Sequence, residues 1–144
     1  MNKSKGFTII ELLVVIAIIA VLAAVVLVNV TGYISKAKDA AIKTDIGNLA
    51  TGMASCYSST GAYTGCSANT TYVPAALATD INEQNGTGGA ALIVNVDANG
   101  TVFCASAELA TSTGDNAYVC TDSTGVTKSS ATSTCGTTAT ACPN

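Results

Sequence analysis

The feature that most constrains this chain is an apolar run near its amino terminus. Residues 12–28 read LLVVIAIIAVLAAVVLV, seventeen positions without a polar side chain. Extended back to Phe7, the segment has 22 residues, of which only Thr8 and Glu11 are polar. A helix of that length spans ~33 Å, enough to cross a hydrocarbon layer of ~30 Å. The run therefore predicts a membrane-spanning helix.

The helical pattern does not stop at Val28. Apolar residues continue at spacings of three and four from Val30 to Cys56, with a one-residue shift after Ala41, which is typical of an amphipathic helix. Charged residues occupy the opposite face: Lys36, Lys38, Asp39, Lys43 and Asp45. We expect one helix over 7–57, ~75 Å long, whose first half protrudes and whose second half packs on a small head.

Composition excludes most classes of function. The 144 residues include no histidine, so the chain has no Ser–His or Cys–His nucleophile pair, no imidazole base and no His-containing metal site. Six lysines and no arginine stand against nine acidic residues, which leaves no basic stripe for nucleic acid. We therefore expect a protein that is not an enzyme, with no catalytic residues, no metal, no cofactor and no nucleic-acid partner.

All six cysteines follow the apolar run, and each is a disulfide candidate: Cys56, Cys66, Cys104, Cys120, Cys135 and Cys142. An even number in a small domain poor in aromatic residues indicates disulfides formed in an oxidising compartment. A metal site is disfavoured because no CxxC pair occurs. Many pairings are open to six cysteines. The simplest expectation pairs sequence neighbours, 56–66, 104–120 and 135–142.

Residues 58–144 predict a head built from short antiparallel strands. We expect strands at 91–96, 101–105 and 116–121, with a fourth at 126–128. Turn signals run from Asp97 to Gly100 and from Asp122 to Gly125. These turns resemble fragments of calcium loops, but no bidentate acid follows at the required distance. The predicted fold class is α+β, with a long amino-terminal helix (a transmembrane half and an amphipathic half) packed against a small, disulfide-stabilised antiparallel sheet.

The amino terminus departs from the order of a cleaved secretory signal. Lys3 and Lys5 precede the apolar run, but the run contains no A-x-A cleavage site. Instead residues 5–15, KGFTIIELLVV, resemble the amino-terminal signature of type IV pilins and pseudopilins. In that signature glycine, phenylalanine and glutamate stand in register against a transmembrane stretch. The resemblance covers roughly residues 3–53.

The resemblance implies how the chain is processed. A prepilin peptidase would cut after Gly6, removing a leader over 1–6, and would methylate the new terminal Phe7, while the apolar helix is retained. The new ammonium group would lie four residues from Glu11, and in a bundle of identical helices it could neutralise Glu11 of a neighbour. Because an unpaired carboxylate in hydrocarbon costs several kcal/mol, such pairing would set the axial register of assembly. The alternative is that Glu11 lies at the headgroup boundary.

The resemblance also implies a function. The chain would be the structural subunit (pilin) of a type IV pilus-like filament, or fimbrium, with 7–28 as filament core, 29–57 as the amphipathic continuation and 58–144 as the head. Its partners would be copies of itself in a helical filament, the prepilin peptidase, the inner-membrane assembly machinery and, before assembly, the membrane. It would cross the inner membrane once before becoming part of an extracellular pilus. The alternatives are a pseudopilin or minor pilin of a type II secretion or competence system, and a non-polymerising membrane-anchored surface domain.

Overall fold

The computed structural model describes residues 6–68, 71–86, 89–112, 114, 117–133, 135–136 and 141–142. The chain divides into two compact units, Met1–Ile34 and Ser35–Asn144. One helix, α1 (Ile9–Thr60), belongs to both. The second unit adds a 3-10 turn (Cys66–Ala68), helix α2 (Ala76–Asn85) and four strands: β1 (Ile93–Val96), β2 (Phe103–Glu108), β3 (Tyr118–Asp122) and β4 (Thr127–Ser130). The predicted α+β class is confirmed.

In the first unit, α1 is predominantly apolar, and its large apolar side chains are exposed. Phe7 is 81% exposed, and the large apolar residues after it whose burial is described remain exposed as far as Ile34, at 51%. A window of 18 residues within α1 has a mean hydropathy of 3.3, and none of it is buried. By length and composition, α1 is therefore capable of crossing a membrane.

In the second unit, α1 buries one face in the core. Five of its residues are at most 2% exposed: Ile42, Ile46, Leu49, Met53 and Cys56. Their alternating spacing of four and three is the stripe that the sequence predicts for an amphipathic helix. The same core contains residues from α2, β2 and β3, including Leu77, Ile81, Phe103, Ala105, Ala107 and Val119.

At Gly52 a neighbouring segment approaches the α1 backbone closely. A Cβ atom added at this position would lie 2.3 Å from the carbonyl oxygen of Tyr72 and 3.1 Å from Val73 Cγ2. Because the nearest atom belongs to the backbone, it cannot move aside as a flexible side chain would. The segment before α2 therefore packs here against a site that only glycine fits.

The sheet is antiparallel throughout, with strand order β1-β2-β3-β4. Its register places Asn95 opposite Cys104, and Cys104 opposite Asp122, so these three side chains share one face. The strands have the order that the sequence predicts, although their bounds shift by a few residues. Residue 116, at the start of the predicted third strand, lies outside the described residues.

Strand β2 is buried on both faces, which the sequence does not predict. Phe103 and Ala105 face the core formed with α1, whereas Cys104 and Ser106 lie on the opposite face, and all four are at most 1% exposed. That opposite face packs against Cys135 and Cys142 of the carboxy-terminal segment, by which we mean the described residues 131–133, 135–136 and 141–142. We call this side of the sheet the outer face.

Helix α2 is also absent from the sequence prediction. It buries Leu77 and Ile81, whose separation of four residues is helical, and it begins soon after Pro74, a residue favoured near helix starts. The amide of Gln84 donates to Asp45 of α1, with Nε2–Oδ2 at 3.2 Å. Two buried apolar residues in a ten-residue helix give too short a pattern to stand out from a loop.

The turn between β1 and β2 is organised by Asp97, as the sequence predicts. Its carboxylate accepts hydrogen bonds from the amides of Asn99 (3.2 Å), Thr101 (2.6 Å) and Val102 (2.8 Å). The bond from Val102 and those from the other donors lower the pKa of Asp97, against an opposing effect of desolvation. Gly100 closes the turn at φ +70°, where a side chain would be strained. Both carboxylate oxygens are thus engaged in the turn itself.

Candidate assembly site at the amino terminus

The start of α1 is fixed by a reciprocal pair of hydrogen bonds between Thr8 and Glu11. The Thr8 amide and hydroxyl both donate to Glu11 Oε2, each at 2.8 Å. In return the Glu11 amide donates to Thr8 Oγ1 at 3.3 Å. This arrangement is a capping box, in which the residue before a helix and the third helical residue satisfy each other's backbone amides.

The capping box leaves the two oxygens of Glu11 in different environments. Both donors from Thr8 converge on Oε2, whereas Oε1 accepts no hydrogen bond from the described residues. Sequence analysis identifies Glu11 but not Thr8. The spacing Thr-x-x-Glu directly before an apolar run is a known signal for this motif and could have revealed it.

The structure places the other residues of the predicted signature just before the helix. Gly6 and Phe7 lie outside α1 and are exposed, and no atom approaches within 4 Å of a Cβ built on Gly6. The peptide bond between these two residues is therefore accessible in this conformation. Lys3 and Lys5 of the predicted leader lie outside the described residues.

Three disulfides join the six cysteines: Cys56–Cys66, Cys104–Cys135 and Cys120–Cys142. The expected 56–66 pairing is confirmed, but the expected 104–120 and 135–142 pairings are wrong. The strand register explains why, since Cys104 faces Asp122 and Cys120 faces Ser106. Diagonal neighbours usually stand farther apart than the ~4 Å between the Cβ atoms of a disulfide, so the folded sheet disfavours a 104–120 bond even though the two sulfurs lie 3.6 Å apart. Each strand cysteine instead bonds to the carboxy-terminal segment above it.

The sulfurs of Cys104, Cys120 and Cys142 lie within 4.8 Å of one another, a spacing that would suit a metal ion. A metal needs thiolate donors, however, and each of these sulfurs is already part of a disulfide. In this oxidised form the cluster ties the carboxy-terminal segment to the sheet.

Hydrogen bonds reinforce the attachment of the carboxy-terminal segment. Asn95 Nδ2 donates to the Cys135 carbonyl at 2.9 Å, and the Cys142 amide donates to Asp122 Oδ2 at 3.0 Å. Burial would raise the pKa of Asp122, but the hydroxyl and amide of Thr124, together with the amides of Cys142 and Val126, outweigh it, and the pKa is lowered. Asp122 therefore stabilises both a β-turn, through Thr124, and the carboxy-terminal segment, through the Cys142 amide.

The lowered pKa of Asp122 predicts an acid-sensitive attachment. The unfolded state binds this proton more readily, so the stabilisation is present above the unfolded pKa of ~3.9 and is lost as the pH falls through the folded pKa. Asp122→Asn should remove charge-assisted hydrogen bonds, lowering the free energy of unfolding at neutral pH by about 1–3 kcal/mol and flattening the acid limb of the pH profile. Urea unfolding of the detergent-solubilised chain at a series of pH values measures both effects. The control is Asp80→Asn, at an exposed position of α2. An unchanged acid limb in Asp122→Asn would refute this role.

An open groove of about 620 Å³ is lined by Lys38, Thr79, Asn82, Glu83 and Gly86. Apart from the half-buried Lys38, these residues are exposed, so a small molecule bound there would remain largely hydrated. Burial is what gives most ligand sites their affinity. The groove is therefore a weaker candidate for function than the amino terminus.

Comparison with known proteins finds similarity over part of the chain. Residues 1–27 match a family described as the prokaryotic N-terminal methylation motif. Fimbrial protein Q of Moraxella bovis is 50% identical over 52 residues, which cover 36% of this chain and 31% of that protein. The amino-terminal region of this chain is therefore similar to that of type IV pilins. The match spans about a third of fimbrial protein Q and about a third of this chain. No solved structure matches the chain significantly.

Proposed function

We propose that this chain is the structural subunit of a type IV pilus-like filament, assembled through its amino-terminal helix. The observation that carries the proposal is the distribution of exposed apolar side chains. Among the described residues, the exposed large apolar side chains lie between Phe7 and Ile34, except for Val126 at 37%. An apolar surface of this extent is typical of a site that is covered by membrane lipid or by another protein. Lipid covers it before assembly, and the helices of neighbouring subunits cover it in the filament.

Processing of the precursor creates the assembly-competent terminus. The prepilin peptidase cuts the accessible bond after Gly6 and methylates Phe7, in keeping with the methylation motif that the chain matches. Cleavage leaves Thr8 as the second residue of the mature chain. The capping box therefore survives maturation, because neither of its two residues belongs to the leader.

Glu11 then sets the register between subunits. Its Oε2 is held by Thr8 of the same chain, which leaves Oε1 to accept the terminal ammonium of a neighbouring subunit. Removed from water, such a pair is favourable only with good geometry and with its remaining hydrogen bonds satisfied. Thr8 supplies those bonds, so it acts as a positioning residue for Glu11.

The capping box gives a prediction for Thr8. Thr8→Val keeps the shape of the side chain but removes the hydroxyl that caps the helix and holds Glu11. Loss of such a cap costs about 0.5–2 kcal/mol, so the yield of filaments should fall about 2- to 30-fold. The measurement is the ratio of pilin in sheared filaments to pilin in the membrane. Thr8→Ser keeps a hydroxyl and should assemble nearly as well as the native chain, and equal defects in Val and Ser variants would count against the capping role.

The remaining assignments follow from this function. Residues 7–28 form the membrane-spanning and filament-core segment, 29–57 the amphipathic continuation, and 58–144 the head. The head lies on the outer side of the inner membrane, where disulfides form, until the inner-membrane machinery adds the subunit to an extracellular pilus.

Shearing separates this function from its alternatives. Cells expressing the chain should release filaments by shear, with this pilin as their abundant component in electron micrographs and in gels. A chain that stays with the envelope under the same treatment would instead act as a pseudopilin, or as a membrane-anchored domain that does not polymerise.

A further inference from the structure

The two disulfides on the outer face lie directly against each other. Cys120 Sγ is 3.6 Å from Cys104 Sγ and 3.5 Å from Cys135 Sγ, although it is bonded to neither. We call Cys104, Cys120, Cys135 and Cys142 the four-sulfur cluster. Cys142 is 9% exposed, whereas the other three are fully buried. One cysteine of the cluster is therefore the natural point of access for a reagent from solution.

We propose that the four-sulfur cluster is an internal thiol–disulfide exchange relay that is entered at Cys142. An external thiolate, from a small thiol or a disulfide-exchange enzyme, attacks Cys142 Sγ and forms a mixed disulfide there. The Cys120–Cys142 bond breaks, and its electron pair leaves on Cys120 as a thiolate. That thiolate attacks Cys135, forming Cys120–Cys135 and releasing Cys104 as a thiolate. If the Cys120 thiolate instead attacks Cys104, a Cys104–Cys120 bond forms and Cys135 leaves as a thiolate. Each exchange conserves the number of disulfide bonds and of thiolates.

The Cys120–Cys142 bond keeps Cys120 from acting as a nucleophile, and we call this bond the latch of the relay. Cys120 Sγ is almost equally distant from the two sulfurs of the Cys104–Cys135 bridge, so it lies beside that bridge. Exchange requires the thiolate to approach along the axis of the bond that it breaks. Cys120 must turn to reach that axis, and its bond to Cys142 prevents the turn. Opening the latch supplies both the nucleophile and its freedom to rotate.

The relay gives the chain a route out of a mispairing between its two strand cysteines. Cys104 and Cys120 are 16 residues apart, whereas the pairs found in the structure are separated by 31 and 22 residues. Shorter loops close at lower entropic cost, so Cys104–Cys120 is favoured over either of these two pairs while the chain is still unfolded. Because all four sulfurs meet on one face of the sheet, exchange converts that isomer to the final pairing without unfolding the core. The partner that this requires is a thiol–disulfide exchange catalyst that needs to reach only Cys142.

The first test opens the latch by mutation. In the full-length Cys142→Ser chain, trapped by alkylation and mapped by mass spectrometry, we expect Cys104–Cys120 and Cys120–Cys135 bridges alongside Cys104–Cys135. The matched control is Cys66→Ser, which frees Cys56 away from the cluster and should leave both outer-face bridges intact. Finding Cys104–Cys135 alone, with Cys120 alkylated throughout, would overturn the relay.

The second test uses the native sequence and so does not depend on the folding of a variant. The purified chain is treated with less than one equivalent of glutathione and then alkylated. We expect the glutathione adduct at Cys142 and alkylation shared among Cys104, Cys120 and Cys135. Alkylation confined to Cys120, or an adduct formed first at another cysteine of the cluster, would overturn the proposal.

Discussion

Glu11→Ala is expected to leave the membrane pool of the pilin unchanged and to reduce sheared surface filaments at least ~100-fold. In the proposed filament, the substitution would remove the carboxylate that neutralises a neighbour's terminal ammonium and would leave that ammonium unpaired in an apolar bundle. Breaking a buried ion pair in this way costs about 3–5 kcal/mol, and each ~1.4 kcal/mol is a factor of ten in association. Quantitative immunoblots of the sheared and membrane fractions measure the ratio.

Two further variants separate charge from shape at this position. Glu11→Gln keeps the size of the side chain and its ability to accept hydrogen bonds from Thr8, but lacks the charge, so it should be nearly as defective as Glu11→Ala. Glu83→Ala removes an exposed carboxylate from α2 and should leave filament yield unchanged. Normal filament yield from Glu11→Gln would show that Glu11 acts without its charge and would exclude register by ion pairing.

Gly52→Ala should destabilise the head by about 2–3 kcal/mol, although alanine is normally the better helix former. The added methyl carbon would stand 2.3 Å from the Tyr72 carbonyl oxygen. Overpacking of this kind typically costs about 1–3 kcal/mol, and the upper part of that range applies because the obstructing atom belongs to the backbone. Chemical denaturation of the oxidised, detergent-solubilised chain measures the loss.

Gly47 provides a matched control on the same helix, five residues earlier. No atom lies within 4 Å of a Cβ built there, so Gly47→Ala should stabilise the helix by up to ~1 kcal/mol. The two identical substitutions are therefore expected to have opposite signs. A Gly52→Ala chain as stable as Gly47→Ala would mean that the segment at Tyr72 does not pack on α1 as described.

The parts of the fold that could be predicted are those with a long or chemically distinctive pattern. Helix α1 combines seventeen uninterrupted apolar positions with a stripe that continues to Cys56, and the observed helix ends within three residues of the predicted Tyr57. The Asp97 turn was predictable because an aspartate that accepts hydrogen bonds from the amides just after it depends only on residues close in sequence. Pattern alone also identifies Glu11, since a lone acid in an apolar helix needs an explanation.

The parts that could not be predicted depend on contacts between distant residues. The disulfide partners of Cys104 and Cys120 depend on the strand register and on the position of Cys135 and Cys142 against the sheet. Neither can be read from the spacing of the cysteines. The closeness of Tyr72 to Gly52 is likewise a tertiary contact. From the sequence alone, Gly52 indicates only a residue that destabilises a helix. Thr8 is different, because its Thr-x-x-Glu signal is local and was open to recognition.

In the proposed function, the amino-terminal helix is retained after processing and becomes the core of a filament. Intact mass and amino-terminal sequencing of the pilin recovered from sheared filaments test it most directly. A mature chain that begins at methylated Phe7 and keeps all three disulfides is expected. A chain that begins near Ala24, as a secreted domain cut within the apolar run would, or one found only as a soluble monomer, would contradict it.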